Sequence, residues 1–584
     1  MSFRTEWDTE PNPVYDIWTS VNGSEVVPGV ISPFSATSFN RYDYAGLVKL
    51  MATYPSGAAV EHFEPPASNF FGVFGGRLAL NNGYSVAAVS ALDPQIAQAI
   101  LQQFFTGASG GERFIVEAAP EDREAGYAEA VRQREAAPGK LADRLEELMV
   151  ERASDRAARD RELPLADAWA RYLDVMDESM TVLLTTHYVV SVAAGEWQVR
   201  LGGVLQAGGL DPNAVVPLCS GLGEVESSKP AVALFDLATL AREHEEVRSL
   251  LESGDEAALD AALADPPSEG WRRFAGAFAD FLVRWGYRVQ GEADPVNPDW
   301  SEQPAFALSQ VRSMLALDVA DSPAASIASA RASRTALEDQ LRAALGEDLR
   351  DAFDEARERA QHFTRMRELS KAVWVVSQRR ARPAFVAIAR ALAGEGLIAG
   401  EADAAMITID EMEAIVAGTV PGDLGARIER RRAQAADAER YRLPDNWVGP
   451  AEPETRAPAS SADDLAGLGV SVGDGPVTGT ARIIPSAEAG LARDIEPGDI
   501  LVAPFTDAPW TPLFVVAGAV VVETGGVLSH AATVAREFNI PAVVMVRDAT
   551  TLIGEGDTVT VDGAAGTVTV VARAAVSARG GGAA

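Results

Sequence analysis

Glu523-Thr524-Gly525-Gly526-Val527-Leu528-Ser529-His530-Ala531-Ala532-Thr533-Val534-Ala535-Arg536-Glu537 is the stretch on which the reading of this chain turns. It follows a short Val-rich run, Ala519 to Val522, that reads as a buried strand, and it opens a helix expected over His530 to Phe538. Gly525 and Gly526 let the backbone turn sharply and approach a ligand closely. Ser529 suits an N-cap, which puts His530 at the first helical position. There the free N–H groups and the helix dipole favour an anion. A neutral imidazole nitrogen can attack phosphorus, and the resulting N–P bond is labile enough to pass the group on. The plainer alternative is a surface or capping histidine.

Around this stretch, Val477 to Ile484, Ile500 to Ala503, Ala542 to Val546, Thr558 to Val561 and Thr567 to Val570 read as further short strands. Together they predict an α/β domain over residues 465–573, followed by a disordered tail, 574–584. Before it, residues 441–464 carry Pro444, Pro450, Pro453 and Pro458 and read as a semi-stiff linker. Residues 1–440 begin with a portion rich in Gly, Pro and aromatics that includes the β-like Arg77 to Leu80. From about Tyr127 the texture turns to Ala, Leu, Glu and Arg at helical spacing. Long helices are expected over Leu165 to Val192, Ala330 to Ala360 and Phe363 to Ala381. The fold class is therefore multidomain α+β, with a mostly helical domain, a β-rich N-terminal portion and a C-terminal α/β domain.

The chain has 584 residues and a formal net charge of −34. Such a surface repels phosphate backbones and anionic lipid, so neither nucleic acid nor membrane is the expected partner. The single cysteine, Cys219, forms no internal disulfide and reads as a small buried apolar residue. No metal site is expected. The N-terminus has no apolar signal core and no run is long enough to span a bilayer, so the expected location is cytoplasmic.

The C-terminal motifs carry a family resemblance. Gly498-Asp499-Ile500-Leu501-Val502, Thr524-Gly525-Gly526, Ser529-His530-Ala531-Ala532, Ala535-Arg536-Glu537, Ile540-Pro541-Ala542-Val543 and Val561-Asp562-Gly563 stand in the order and spacing of the phosphoenolpyruvate-utilising enzymes. They resemble that family's phosphohistidine swivelling domain. The resemblance implies that His530 is the phosphorylated residue, with Thr524, Gly525, Gly526 and Ser529 around the phosphoryl group. Asn22 to Gly29, Gly75 to Asn81, Trp285-Gly286-Tyr287-Arg288 and Gly291-Glu292-Ala293-Asp294 resemble the acceptor-binding part of rifampicin phosphotransferases and the large subunit of phenylphosphate synthase. Tyr287 stands where family members often have histidine.

The resemblance implies a dikinase-type phosphotransferase. ATP would give AMP and phosphate, and the phosphoryl group would pass through His530 to a small hydroxyl acceptor, a phenol among the options. ATP and Mg²⁺ would be bound by a separate ATP-grasp subunit.

Read from the residues alone, Arg288 and Glu292 share one face if their segment is helical. They are either a surface ion pair or the groups that steady the phosphoryl group and deprotonate the acceptor. Arg77 and His187 are assigned to the acceptor site. Their alternatives are a structural arginine and a hydrogen-bonded core histidine. The aromatics Trp18, Phe34, Phe39, Phe63, Phe70, Phe71 and Phe74 either fill the core or line an apolar acceptor pocket. Two rival functions stand beside this one: a phosphoenolpyruvate-dependent phosphotransferase component and a non-enzymatic phosphorylated regulatory module.

Overall fold

The computed structural model describes residues 3–43, 70–86, 132, 136, 138–455 and 463–574, less 12–13, 22, 24–26, 84, 224, 472, 474, 487–488, 491–494 and 527–528. Part of the motif at Asn22 to Gly29, Phe63, residues 456–462 of the expected linker and most of the expected tail lie outside the described residues. The chain is a multidomain α+β protein, with a helical central region and a C-terminal α/β region.

A first sheet is N-terminal. Strands β1 (Ile17–Thr19), β2 (Phe71–Phe74) and β3 (Arg77–Asn81) pair in the order β2-β3-β1. Beyond β1 the sheet is completed by a strand from far along the chain. Tyr441–Arg442 (β4) and Glu454–Thr455 (β6) pair with each other, while Asn446–Val448 (β5) joins β1. The segment expected to be a free linker is therefore partly fixed on the N-terminal sheet. Pro444, Pro450 and Pro453 fall between the short strands rather than inside them, where a missing N–H costs no ladder bond. Trp18, Phe34, Phe39, Phe70, Phe71 and Phe74 are at most 7 % exposed and form core, not a pocket lining.

The helices follow. They include α1 (Pro33–Asp43), α2 (Leu165–Glu178), α3 (Leu184–Ala207), α4 (Lys229–Arg242), α5 (Glu269–Trp285), α6 (Pro323–Ala344), α7 (Glu347–Arg379) and α8 (Arg382–Gly394). The helix expected to end at Val192 runs on to Ala207 through a π-helical turn, Ser179–Leu183. The break expected near residues 361–362 falls instead at Leu345 and Gly346, both extended. Ala, Glu and Arg are good helix formers on both sides, so composition does not mark the break. Glu347 and Asp348 in the first turn of α7 suit a new N-terminus. α3 and the π-helical turn before it run antiparallel to α7, held by Gln198 Nε2 to Thr364 Oγ1 at 3.2 Å and Gln378 Nε2 to Met180 Sδ at 3.2 Å.

The C-terminal region is one eight-stranded sheet. β9 (Val477–Ile483), β10 (Ile500–Ala503), β11 (Ala519–Val522) and β12 (Ala542–Val544) form its parallel centre. β10, β11 and β12 are fully buried, as Val-rich parallel strands covered on both faces must be. β8 (Leu468–Ser471) flanks β12 antiparallel, and β13 (Thr558–Asp562), β14 (Thr567–Ala572) and β7 (Asp464–Ala466) extend the other side. Two helices concern the site, α9 (Thr511–Val516) and α10 (His530–Glu537). α10 is the crossover between the parallel strands β11 and β12. Residues 523–529 thus leave the carboxyl end of a parallel strand, where open α/β sheets hold ligands. No helix among the described residues is long and apolar enough to cross a membrane.

Candidate active site

Ser529 caps α10 as expected: its Oγ accepts from Ala532 N at 3.2 Å, and its own N–H donates to Gly526 O at 3.0 Å. Gly525 has φ +126°, a conformation that side-chain-bearing residues rarely adopt. Thr524 is turned away from the helix start, its hydroxyl donating to Pro504 O at 3.0 Å. His530 opens α10 and is 3 % exposed. Thr511 at the start of α9 lies 3.4 Å from Nε2 through Oγ1, and the Phe514 ring meets the imidazole edge-on at 6.3 Å.

His530 lies near where the C-terminal domain meets the helical region. The Thr511 hydroxyl is also 3.4 Å from the Ser227 carbonyl, just before α4. Burial, and then the charges of Lys371, Arg288 and Arg367, push His530 well below the ordinary imidazole value. The imidazole is therefore neutral at pH 7. The three cations that disfavour an imidazolium would stabilise an anionic phosphoryl group on the same ring.

Arg288 and Glu292 are both buried and joined at 2.7 Å through Nη1 and Oε1. Their segment is a series of turns, not a helix. The expected pairing is present, but it is a buried pair held by a loop. Burial alone would lower the Arg288 pKa, but Glu292 and neighbouring groups outweigh it and raise the value. The Arg288 guanidinium lies 4.8 Å over the Tyr287 ring. Gly291 N donates to Asp507 Oδ2 at 2.8 Å, so this loop touches the C-terminal domain directly.

His187 on α3 bonds Ser370 Oγ through Nδ1 at 2.9 Å and stacks on Trp374 at 6.1 Å. Burial, then Arg367 and Lys371, hold it well below the ordinary value. His187 and His530 thus sense the same two cations. Arg77 is elsewhere. It donates to the carbonyls of Tyr441 and Ala438 and pairs with Glu439. It lines a cavity of about 770 Å³ shared with Thr524, whose walls do not include His530.

Sequence reasoning missed Arg367 and Lys371, which lie at i and i+4 on one face of α7. The spacing was legible, but nothing local distinguishes it from a solvated helix face. It also gave Glu537 no partner. The Glu537 carboxylate crosses to the helical region and accepts from Leu222 N at 3.0 Å and Gly223 N at 2.6 Å. Gly221 and Gly223 have φ of +52° and +63°. A Cβ at Gly221 would come within 2.4 Å of the Arg331 backbone nitrogen, so only glycine fits this carboxylate-binding turn.

Residues 495–566 match the mobile domain of the PEP-utilising enzymes, and residues 187–368 match the fourth domain of rifampicin phosphotransferase. The chain is 32 % identical over 354 residues to the rifampicin phosphotransferase of Streptomyces sviceus, covering 59 % of this chain and 40 % of that protein. It is 32 % identical over 331 residues to the prodigiosin synthesizing transferase PigC of Serratia marcescens, covering 52 % and 34 %. An uncharacterised protein of Mycobacterium tuberculosis is 29 % identical over 579 residues, covering 97 % of this chain and 63 % of that one. The chain spans less than two thirds of the length of each. The first match contains His530, the second Arg288, Glu292, His187 and Arg367. Through both of its matched domains the chain is related to the PEP-utilising enzyme family.

Proposed function

We propose that this chain is the carrier and acceptor-binding part of an ATP-dependent phosphotransferase. The observation that carries the reading is the meeting at His530. A neutral histidine at a helix N-terminus of the C-terminal domain is buried within electrostatic reach of Arg288, Arg367 and Lys371 of the helical region. A nucleophile and its charge-stabilising groups converge from separate parts of the chain, as group transfer requires.

In this reading ATP with Mg²⁺, bound on a partner ATP-grasp subunit, gives its β-phosphoryl to His530 and its γ-phosphoryl to water, leaving AMP and phosphate. His530 forms the N–P bond and holds the group while the C-terminal domain moves. In the docked arrangement seen here the N–P bond breaks as the acceptor oxygen bonds to phosphorus. The acceptor proton passes to a base, for which Glu292 and His187 are the proposed groups. Arg288, Arg367 and Lys371 compensate the charge on the transferring group. Thr524, Gly525, Gly526 and Ser529 form the turn that presents it. Arg77 is bonded to β4 and has no part in this step.

The test uses two donors. Phosphoramidate phosphorylates histidine chemically and needs no partner. ATP labelled at the β-phosphoryl, with the partner subunit, tests the enzymatic route. Both should give an acid-labile, base-stable phosphoryl group on His530 that passes to a hydroxyl compound from a panel of phenols and alcohols. Equal label on His530→Ala refutes the carrier role. Label from phosphoenolpyruvate but not from ATP refutes the donor.

A further inference from the structure

A cavity of about 330 Å³, whose walls include neither Arg288 nor His530, lies between α2, α5 and the α7–α8 junction. Its size is at the low end of small-ligand sites, roughly 300–1,000 Å³. Seven arginines and three carboxylates line it, an inverted balance for a chain of net charge −34. Some of these arginines are fully paired: Arg161 and Arg382 share Glu302, and Arg171 holds Asp160 and Glu151. Others are not.

Arg152 and Arg379 share one carboxylate, Asp299, each at 3.6 Å. Their remaining bonds go to neutral acceptors. Arg152 donates to the Leu282 and Val283 carbonyls and Ser301 Oγ, and Arg379 to the Asp294 and Asn297 carbonyls. The Arg379 side chain is fully buried, and its Nε has no hydrogen-bond partner. Arg380, 8 % exposed, is paired with both Glu151 and Glu178, and its Nε alone is unpartnered. Among the described residues Arg156 at the rim pairs with Glu151, at 3.1 Å, a carboxylate that also serves Arg171 and Arg380. Buried guanidinium groups with too few counter-charges are costly unless an anion completes them.

We propose that this cavity binds a small multivalent oxyanion of the phosphate or diphosphate class, held by Arg152, Arg156 and Arg379. It is separate from the phosphoryl site at His530, and it borders the loop that carries Arg288. Trp300 N donates to Arg288 O at 3.0 Å, and its neighbours Asp299 and Ser301 both line the cavity. An anion that takes Arg152 and Arg379 from Asp299 therefore acts on the backbone that presents Arg288.

Titration calorimetry of the full chain with inorganic phosphate and with pyrophosphate, at constant ionic strength, tests this. Saturable binding in the millimolar range or below is expected. It should weaken about tenfold or more in Arg152→Gln and in Arg156→Gln, and be unchanged in Lys371→Ala, which removes a cation whose charge bears on His530. Bound pyrophosphate should also slow amide exchange at Trp300. Arg156 is about half exposed, so Arg156→Gln decides the matter if Arg152→Gln does not fold. Absence of saturable binding overturns the site. So does binding weakened by Lys371→Ala and not by the arginine variants, which would put the anion at His530.

Discussion

Two surfaces meet at His530, and they are built in opposite ways. The C-terminal surface is local: fifteen consecutive residues, 523–537, supply the turn, the cap, the histidine and the docking carboxylate. The facing surface is assembled from distant places, with Ser227 before α4, Arg288 on a loop between helices, and Arg367 and Lys371 on α7. A continuous strand–turn–helix can carry a reactive group whole through a large movement. The cations need not move, so they can be scattered over a rigid body. The difference predicts that damage on the moving side abolishes chemistry, whereas damage on the fixed side slows one half of it.

The largest effect is expected from His530→Ala, which should remove labelling and transfer together. The deleted ring makes few polar contacts, so the stability cost should be roughly 1–3 kcal/mol. Acid-labile phosphate and thermal unfolding, measured on one preparation, separate the two. Transfer surviving without His530 would break the comparison at once.

Next, Arg367→Ala and Lys371→Ala should each slow transfer by about 10²–10³-fold, as for removal of one charge-stabilising donor. Chemical labelling of His530 should proceed in both. Arg288→Ala would leave Glu292 buried without its partner, at roughly 3–5 kcal/mol in stability, so Arg288→Lys is the cleaner probe. It keeps the charge and loses the planar fork. Single-turnover decay of pre-labelled protein in the presence of acceptor reads all three. Labelling and transfer falling equally would show that the cations belong to both half-reactions.

Glu537→Gln sharpens the docking contact. A carboxylate bonded to two buried amides loses its charge, and docking should weaken by roughly 1.5–3 kcal/mol. Hydrogen exchange at the Leu222 and Gly223 amides should speed up, with labelling unaffected. Unchanged exchange would mean that the carboxylate does not hold the domains together.

A smaller effect is expected from pH. His530 has a lowered pKa in the folded protein, so below about pH 6.5 the unfolded chain takes up a proton that the folded one refuses. Stability contributed by this group is complete above that pH and falls as the pH drops. Denaturation midpoints on the acid side should therefore decline less steeply for His530→Gln than for the native chain. An identical decline would place His530 in water. The smallest change belongs to Tyr287→Phe: its hydroxyl is buried without a partner, and deleting it should alter stability by no more than about 1 kcal/mol. A large loss of transfer in that variant would instead give the phenol a part in the chemistry.

The sequence by itself determined the C-terminal domain down to its strands. Val-rich runs, turn glycines, an N-cap serine and the histidine after it act within a few residues of one another, so their spacing along the chain is their spacing in space. β7 and β8 escaped because short edge strands lack a sustained pattern. In the helical region the texture showed that helices form but not where they break, as at Gly346, since good helix formers lie on both sides. The pairing of β5 with β1 joins residues more than four hundred positions apart, and nothing local to a proline-rich segment announces such a partner. The same holds at the site. The sequence singled out His530, Arg288 and Glu292, but only the tertiary structure decided that the charges of Arg367 and Lys371 bear on His530, that His187 shares their field, that Arg77 lines a cavity without His530, and that Glu537 docks on a glycine turn. Charge acts across space without regard to chain distance, so a cation's role is decided by where the fold puts it.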